Sequence, residues 1–184
     1  KERKSVSEIS VIWKCSKNKI NYWLHEYKIP KRTISEAVYQ KYNPTGDPFK
    51  IKERLTSKEI KLLGLGLGLY WGEGHKKNKV SIRLGNTDPR LIKAFMDFLV
   101  KICGVKQEKI TFNLLIFNDT AEDLVRGFWI KALKINPEQI RGKATILKSR
   151  KTGTYRQKAK YGVLILQFHN RKLRDTICNM IEKI

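Results

Sequence analysis

Acidic residues are scarce in this chain. Against 39 lysines and arginines stand 17 aspartates and glutamates, a formal net charge of +22 over 184 residues. Such an imbalance points to an anionic partner, a nucleic acid or an acidic membrane surface. Long apolar runs are missing too. The most apolar stretch, residues 60–71, has 12 residues with charges on both sides. A bilayer span needs roughly 20, so no membrane partner is expected. Cysteine is sparse: Cys15, Cys103 and Cys178 are odd in number, far apart and free of CxxC or CxxH spacing for zinc. They read as reduced core thiols of an intracellular protein, in cytoplasm or nucleoid. No signal-peptide pattern is present. Because the sequence starts at Lys1 and not at Met, residues upstream are expected to be missing or removed. No internal repeat is visible. What is abundant is apolar: 41% hydrophobic residues suffice for a real core and exclude a disordered basic tail.

The length suits one mid-sized domain plus a small one. Residues 1–40 predict a small helical head. Ser7 is placed to cap a short helix with Ile9, Ile12 and Trp13 on one face, and Ser16 to cap a second over 17–27. Ile20, Trp23 and Leu24 are expected inward on the second helix, with Lys17, Asn18, Lys19, Asn21 and Tyr22 outside; Pro30 ends the pattern. Two short helices, a tight turn and a polar second helix resemble a helix-turn-helix of the resolvase-like kind. The resemblance implies that the second helix enters the DNA major groove, where Asn and Lys address base edges. Lys14 stands where such motifs usually place glycine, and Ser10 where they place alanine. Residues 41–55, with Pro44, Gly46 and Pro48, read as a linker.

Residues 56–184 predict an α+β body with about four strands. Thr56 or Ser57 starts a helix. "KVSIRLGN" alternates Val80, Ile82 and Leu84 inward, as a strand does. Asn86, Thr87 and Asp88 are caps for a helix burying Leu91, Ile92, Phe95, Phe98, Leu99 and Ile102, ended by Gly104. "KITFNLLIF" is a strand, residues 119–135 a helix capped by Asp119 or Thr120, "ATILKSR" and "YGVLILQF" two more strands, and 170–184 a last amphipathic helix through Leu173, Ile177, Ile181 and Ile184.

The stretch "GLGLGLYWGEGHKK", residues 64–77, fits no ordinary element. A dinucleotide fingerprint needs its glycines after a strand and opening a helix; these fall inside or late in one. A P-loop needs GK followed by Ser or Thr, which is not present. Close helix packing is the third reading: Gly64, Gly68 and Gly72 recur at i, i+4 and i+8, on one face. Each glycine inside a helix costs roughly 1 kcal/mol against alanine, so three or four cost about 3–4 kcal/mol. That is a large share of a typical stability of about 5–15 kcal/mol, and a tightly packed partner helix would offset it. The alternative, a helix end packed on its own sheet, accounts for one or two glycines.

"LGLGLYWGEG" resembles the signature helix of LAGLIDADG homing endonucleases, with Glu73 in the place of the last acid and Gly74 as the closing glycine. "VSIRLGNTDPRLIKAFMDFLV" is similar to that family as well, and the likeness covers residues 57–184. It implies a mixed or antiparallel sheet shaped as a saddle over double-stranded DNA. It also implies two signature helices touching through Gly64, Gly68 and Gly72 in a homodimer, and one carboxylate delivered per helix. Glu73 would then be catalytic and, with the Gly72 carbonyl, would hold Mg²⁺ or another divalent cation against the scissile phosphate. His75 is a further group within reach by the same analogy. Trp71 stands in the motif's first acidic place, Glu replaces the usual Asp, and the segment after the motif is shorter than the family's hairpin. A single motif leaves two possibilities, paired chains or one dead site, of which the homodimer is favoured. The implied activity is site-specific cleavage of duplex DNA. The alternatives are a non-catalytic transcription regulator with a decayed LAGLIDADG domain, as in some sporulation-type factors, and an RNA-binding helper of intron splicing.

The expected DNA surface has two further parts. Residues 148–160 carry Lys148, Arg150, Lys151, Arg156, Lys158 and Lys160 and no acid, in a loop between strands. Lys76, Lys77, Lys79 and Arg83 lie beside Glu73 in sequence. Both are phosphate contacts in this reading, although a one-sign run is usually just a solvated surface.

Overall fold

The computed structural model describes residues 4–118, 120–147 and 160–183. The chain divides into two compact units, Lys1–Asp47 and Pro48–Ile184.

The small unit has three helices. α1 (Val6–Ile12) begins at Ser5, not Ser7. Ser5 has Glu8 three residues on, and the pair forms a capping box: Ser5 N donates to Glu8 Oε2 at 2.6 Å and Glu8 N to Ser5 Oγ at 3.2 Å. Ser7 has no such partner; its carbonyl accepts from the Ser10 hydroxyl at 2.8 Å. α2 (Lys17–Glu26) is capped by Ser16, as expected. Between them Lys14 takes φ 46°, the left-handed conformation that favours glycine. α3 (Ile34–Tyr42) is an element that the apolar periodicity does not reveal, although Thr33 and Glu36 form another capping box. Among the described residues of α1, α2 and α3, Ser10 alone is buried. Trp13 is 75% exposed and Trp23, expected inward, is exposed and stacks on Tyr27. A unit this small cannot enclose a core of large aromatics.

The body is α+β. α4 (Ser57–Glu73) starts at a Thr56–Glu59 capping box. β1 (Ile82–Asn86) leads through the Asp88 cap into α5 (Pro89–Lys101). β2 (Thr111–Phe117) follows, then α6 (Glu122–Leu133), β3 (Thr145–Leu147), β4 (Val163–Phe168) and α7 (Arg171–Ile181). α6 has Ala121 at its N-cap with no side-chain bond, so Thr120 does not cap it, and Asp119 lies outside the described residues. The same is true of Ile184.

The four strands form one mixed sheet in the order β1-β4-β2-β3. β4 is antiparallel to both β1 and β2, and β3 is parallel to β2. One face carries Ile82, Leu84, Phe112, Leu114, Ile116, Leu164, Leu166 and Phe168, all buried. These join the buried residues of α4, α5, α6 and α7 in a single core. Phe49, Ile51 and Leu55 pack against that core, and Lys50 N and Lys52 N donate to Cys103 O and Ile102 O at 2.9 Å. Half of the stretch read as a linker therefore belongs to the body. Gly104 (φ +66°) passes so close to this segment that a Cβ would lie 2.5 Å from Lys50 O.

Cys103 sits in the core, and burial pushes its thiol up to about 12. The reactive thiolate is then about one part in 10⁵ at pH 7. Labelling with a thiol reagent should leave Cys103 unmodified in the native protein and modify it on unfolding in denaturant; mass mapping of the label reads this directly.

Candidate nucleic-acid interface

The glycines of α4 fall into two sets. A Cβ on Gly66 would overlap the ring of Phe98, and one on Gly74 would overlap the backbone and ring of Tyr70. Those two serve packing inside the chain. A Cβ on Gly64, Gly68 or Gly72 would meet nothing within 4 Å. Ile60, Leu65 and Trp71 flank this open strip and are 57%, 50% and 59% exposed. The apolar outward side of α4 thus has no partner among the described residues of the body.

α4 ends where the sheet begins. Glu73 is its last residue and is exposed. Gly74 turns extended and forms a single antiparallel bridge with Leu84, and His75 N donates to Arg83 O at 2.9 Å. This bridge stands where the resemblance implies a longer hairpin. It holds Glu73 at the β1 edge of the sheet. The next turn is pinned from α7, where Arg174 Nη2 donates to Lys76 O at 2.7 Å. Because strand side chains alternate, Gly74 shares the core side with Leu84, while His75 lies beside Arg83 on the opposite, open face.

That open face carries a polar row. Arg83 pairs with Gln167 and Gln167 with Thr111, so the three lie side by side across β1, β4 and β2. Gln167 is 4% exposed. With its amide oxygen towards the guanidinium it accepts from Arg83 Nε at 3.2 Å, from Arg83 Nη2 at 3.0 Å and from His169 Nε2. The Asn113 amide lies 3.2 Å away on its other side. Arg141 enters from beyond β2: Ile140 bridges Phe112, and Arg141 N donates to Phe112 O at 2.8 Å. His169 is held below the usual histidine range, first by burial and then by the charges of Arg83 and Arg141. No acid among the described residues figures in that balance. The row is cationic, with Glu73 beyond its β1 edge.

Comparison with protein families, with curated proteins and with solved structures returned no match. The candidate residues therefore stand on geometry alone. Glu73, Gly72, Lys76, Lys77 and Lys79 are together at the end of α4 and in the turn after it, all exposed, with the Lys76 ammonium donating to Trp71 O. Arg83 is half-buried on the open face. Lys17, Asn18, Lys19 and Tyr22 are exposed on α2 and Asn21 is half-buried there, in the separate small unit. Lys148, Arg150, Lys151, Arg156 and Lys158 lie outside the described residues. Lys160 is exposed, its ammonium 5.5 Å from the Tyr161 ring centre. Sequence reasoning missed Gln167, His169, Asn113 and Arg141. The signal was the alternation of "YGVLILQF" and "TFNLL", which puts Gln167 and Asn113 opposite the buried leucines. No group of three or more His, Cys, Asp or Glu side chains able to hold a metal occurs among the described residues, and no helix among them is long and apolar enough to cross a membrane.

Proposed function

We propose that this chain binds double-stranded DNA on the open face of its sheet and cleaves it at a specific site, as a LAGLIDADG-like homodimer using Mg²⁺. The observation that carries the reading is the junction of α4 and β1. A helix with an uncovered glycine strip ends on an acid, and the next residue is fastened to the edge of a cationic sheet face. Pairing of two α4 helices along Gly64, Gly68 and Gly72 accounts for three glycines that packing among the described residues does not use. It also brings two copies of Glu73 together at the negative ends of two helix dipoles, a charge arrangement that a cation relieves. The donor set fits Mg²⁺ only in such a pair. One chain offers the Glu73 carboxylate and the Gly72 carbonyl, and Mg²⁺ takes one or two carboxylates with waters and phosphate oxygens. Bound there, the metal would activate water and steady the leaving oxygen.

In this reading the small unit is a helix-turn-helix head. The left-handed Lys14 in the turn and the buried, small Ser10 occupy the places where such motifs put glycine and alanine. α2 would then present Lys17, Asn18, Lys19, Asn21 and Tyr22 to bases and phosphates.

Incubation with a library of duplex targets and Mg²⁺ tests the proposal. Cleavage at a defined site is expected; a tightly bound duplex that stays intact would remove the enzyme. Binding should weaken steeply with salt. Replacing Lys76, Lys77 and Lys79 by alanine should lower the slope of log K against log salt by about 0.9 for each lysine that pairs with a phosphate. Gly64→Ala and Gly68→Ala should weaken self-association measured by sedimentation. If the dimer persists unchanged, these glycines are not its seam.

A second reading, a non-catalytic regulator, draws on the single carboxylate that each chain presents at the end of α4. It predicts full binding and no cleavage with Glu73 replaced or intact.

A further inference from the structure

Arg83 and His169, from two separated segments, meet at one buried amide, Gln167, and Arg141 enters the same face from beyond β2, near enough for its charge to act on His169. With its oxygen turned to these groups, that amide accepts hydrogen bonds from Arg83 Nε and Nη2 and from His169 Nε2. Neutral His169 is then the Nε2–H tautomer, and Nδ1 is the atom that titrates. The other groups contributed to the row, Thr111 and Asn113 from β2, are neutral, and His75, beside Arg83 at the β1 edge, is a second imidazole whose resonance the titration follows separately. One fixed cation, Arg83, one exposed cation, Arg141, and one latent cation, His169, thus share a patch in which no acid among the described residues figures. We infer that Arg83, Arg141 and His169 form a notch for a phosphate group, and that filling it drives a proton onto His169. As a phosphate site the notch stands by itself; as a site for a backbone phosphate it rests on the DNA reading above.

The chemistry selects phosphate because several oxygens can meet donors arriving from different strands, with charge-assisted bonds to each guanidinium. The sign of the proton coupling follows from the same geometry. In the empty notch the two arginines and burial oppose a charge on the imidazole. A bound anion offsets the arginines, so the His169 midpoint rises on binding and affinity grows as pH falls. The window lies between the midpoint of the empty notch, below the usual histidine value, and the higher midpoint of the filled one. One linked proton limits the gain to about tenfold per pH unit.

The test is an NMR titration of the imidazoles of the whole chain, with and without inorganic phosphate. His169→Asn assigns the resonance, and His25, in the other unit, is the reference. Phosphate should raise the His169 midpoint and leave that of His25 unmoved, and Arg141→Gln should shrink the effect. An unmoved His169, an equal shift at His25, or a shift undiminished in both Arg141→Gln and Arg83→Gln would overturn the notch. Short duplex DNA supplies the second arm. If it moves His169 as phosphate does, the ligand is the nucleic-acid backbone. If inorganic phosphate acts and the duplex does not, the notch holds for a free phosphate and the placement of DNA on this face fails.

Discussion

Replacing Gly66 by alanine should destabilise the body by about 2 kcal/mol, while the same change at Gly68, half a turn away, should stabilise it. At Gly66 the new methyl would overlap the ring of Phe98. Phe98 is fully buried and tilts against Phe95, centroids 5.7 Å apart, which in turn stacks on Tyr70 at 5.9 Å. The ring is buried with Phe95 against it, so either α4 lifts from α5 or the aromatic stack deforms. Overpacking of this kind costs about 1–3 kcal/mol, at the upper end for a rigid ring. Helix propensity returns about 1 kcal/mol. At Gly68 the same methyl meets open space and the propensity gain stands alone. Thermal unfolding of dilute, DNA-free protein separates the two: a fall in Tm of several degrees for Gly66→Ala, and a rise of a few for Gly68→Ala. Equal signs at the two positions would mean that α4 does not present these faces as described.

On the proposed function, Glu73→Gln should abolish metal-dependent cleavage and leave DNA binding intact. The amide keeps the size of the side chain and removes the charge that would hold a hard cation. The loss should exceed the roughly 10–100-fold that removal of a supporting residue behind a ligand costs. Affinity for duplex in Ca²⁺ or without metal should be unchanged or better, because the acid faces phosphates in the absence of a cation. Folding should be unaffected, since Glu73 is exposed and ends its helix. Measuring cleavage and binding on one preparation distinguishes the outcomes. Equal cleavage by variant and wild type assigns the chemistry elsewhere, and no cleavage by either assigns the chain to regulators.

Local chemistry was legible in the sequence wherever a cap or a period specified it. Thr56 with Glu59, Ser16, and Asp88 before Pro89 all start helices where expected, and β1, β2 and β4 lie where strands were read; in β1 Ile82 and Leu84 turn inward, but Val80, ahead of the strand, is exposed and Ser81 is buried in its stead. Errors came where two signals competed or one was passed over. Ser5 outcompetes Ser7 because Glu8 completes its box, and α3 follows a Thr33–Glu36 box of the same kind. Trp13 and Trp23 looked like core by residue type, but the small unit has too little volume to bury them. The division of the glycines was only half legible: the spacing of Gly64, Gly68 and Gly72 is visible in one dimension, whereas the fit of Gly66 to Phe98 depends on how α4 crosses α5. Of the Arg83–Gln167–His169–Arg141 cluster, the sequence offers Arg83 and the outward place of Gln167 singly, but not their meeting. The cluster joins residues from opposite ends of the body through strand register, and nothing local encodes which strands are neighbours.

The single bridge from Gly74 to Leu84 makes α4 and the sheet edge one mechanical piece. A rotation of α4 about its own axis is carried through that rung, and through the His75–Arg83 hydrogen bond, into the strand that bears Arg83. A partner docked on the outward side of the helix would thus bear, through one rung, on the strand that carries the polar row.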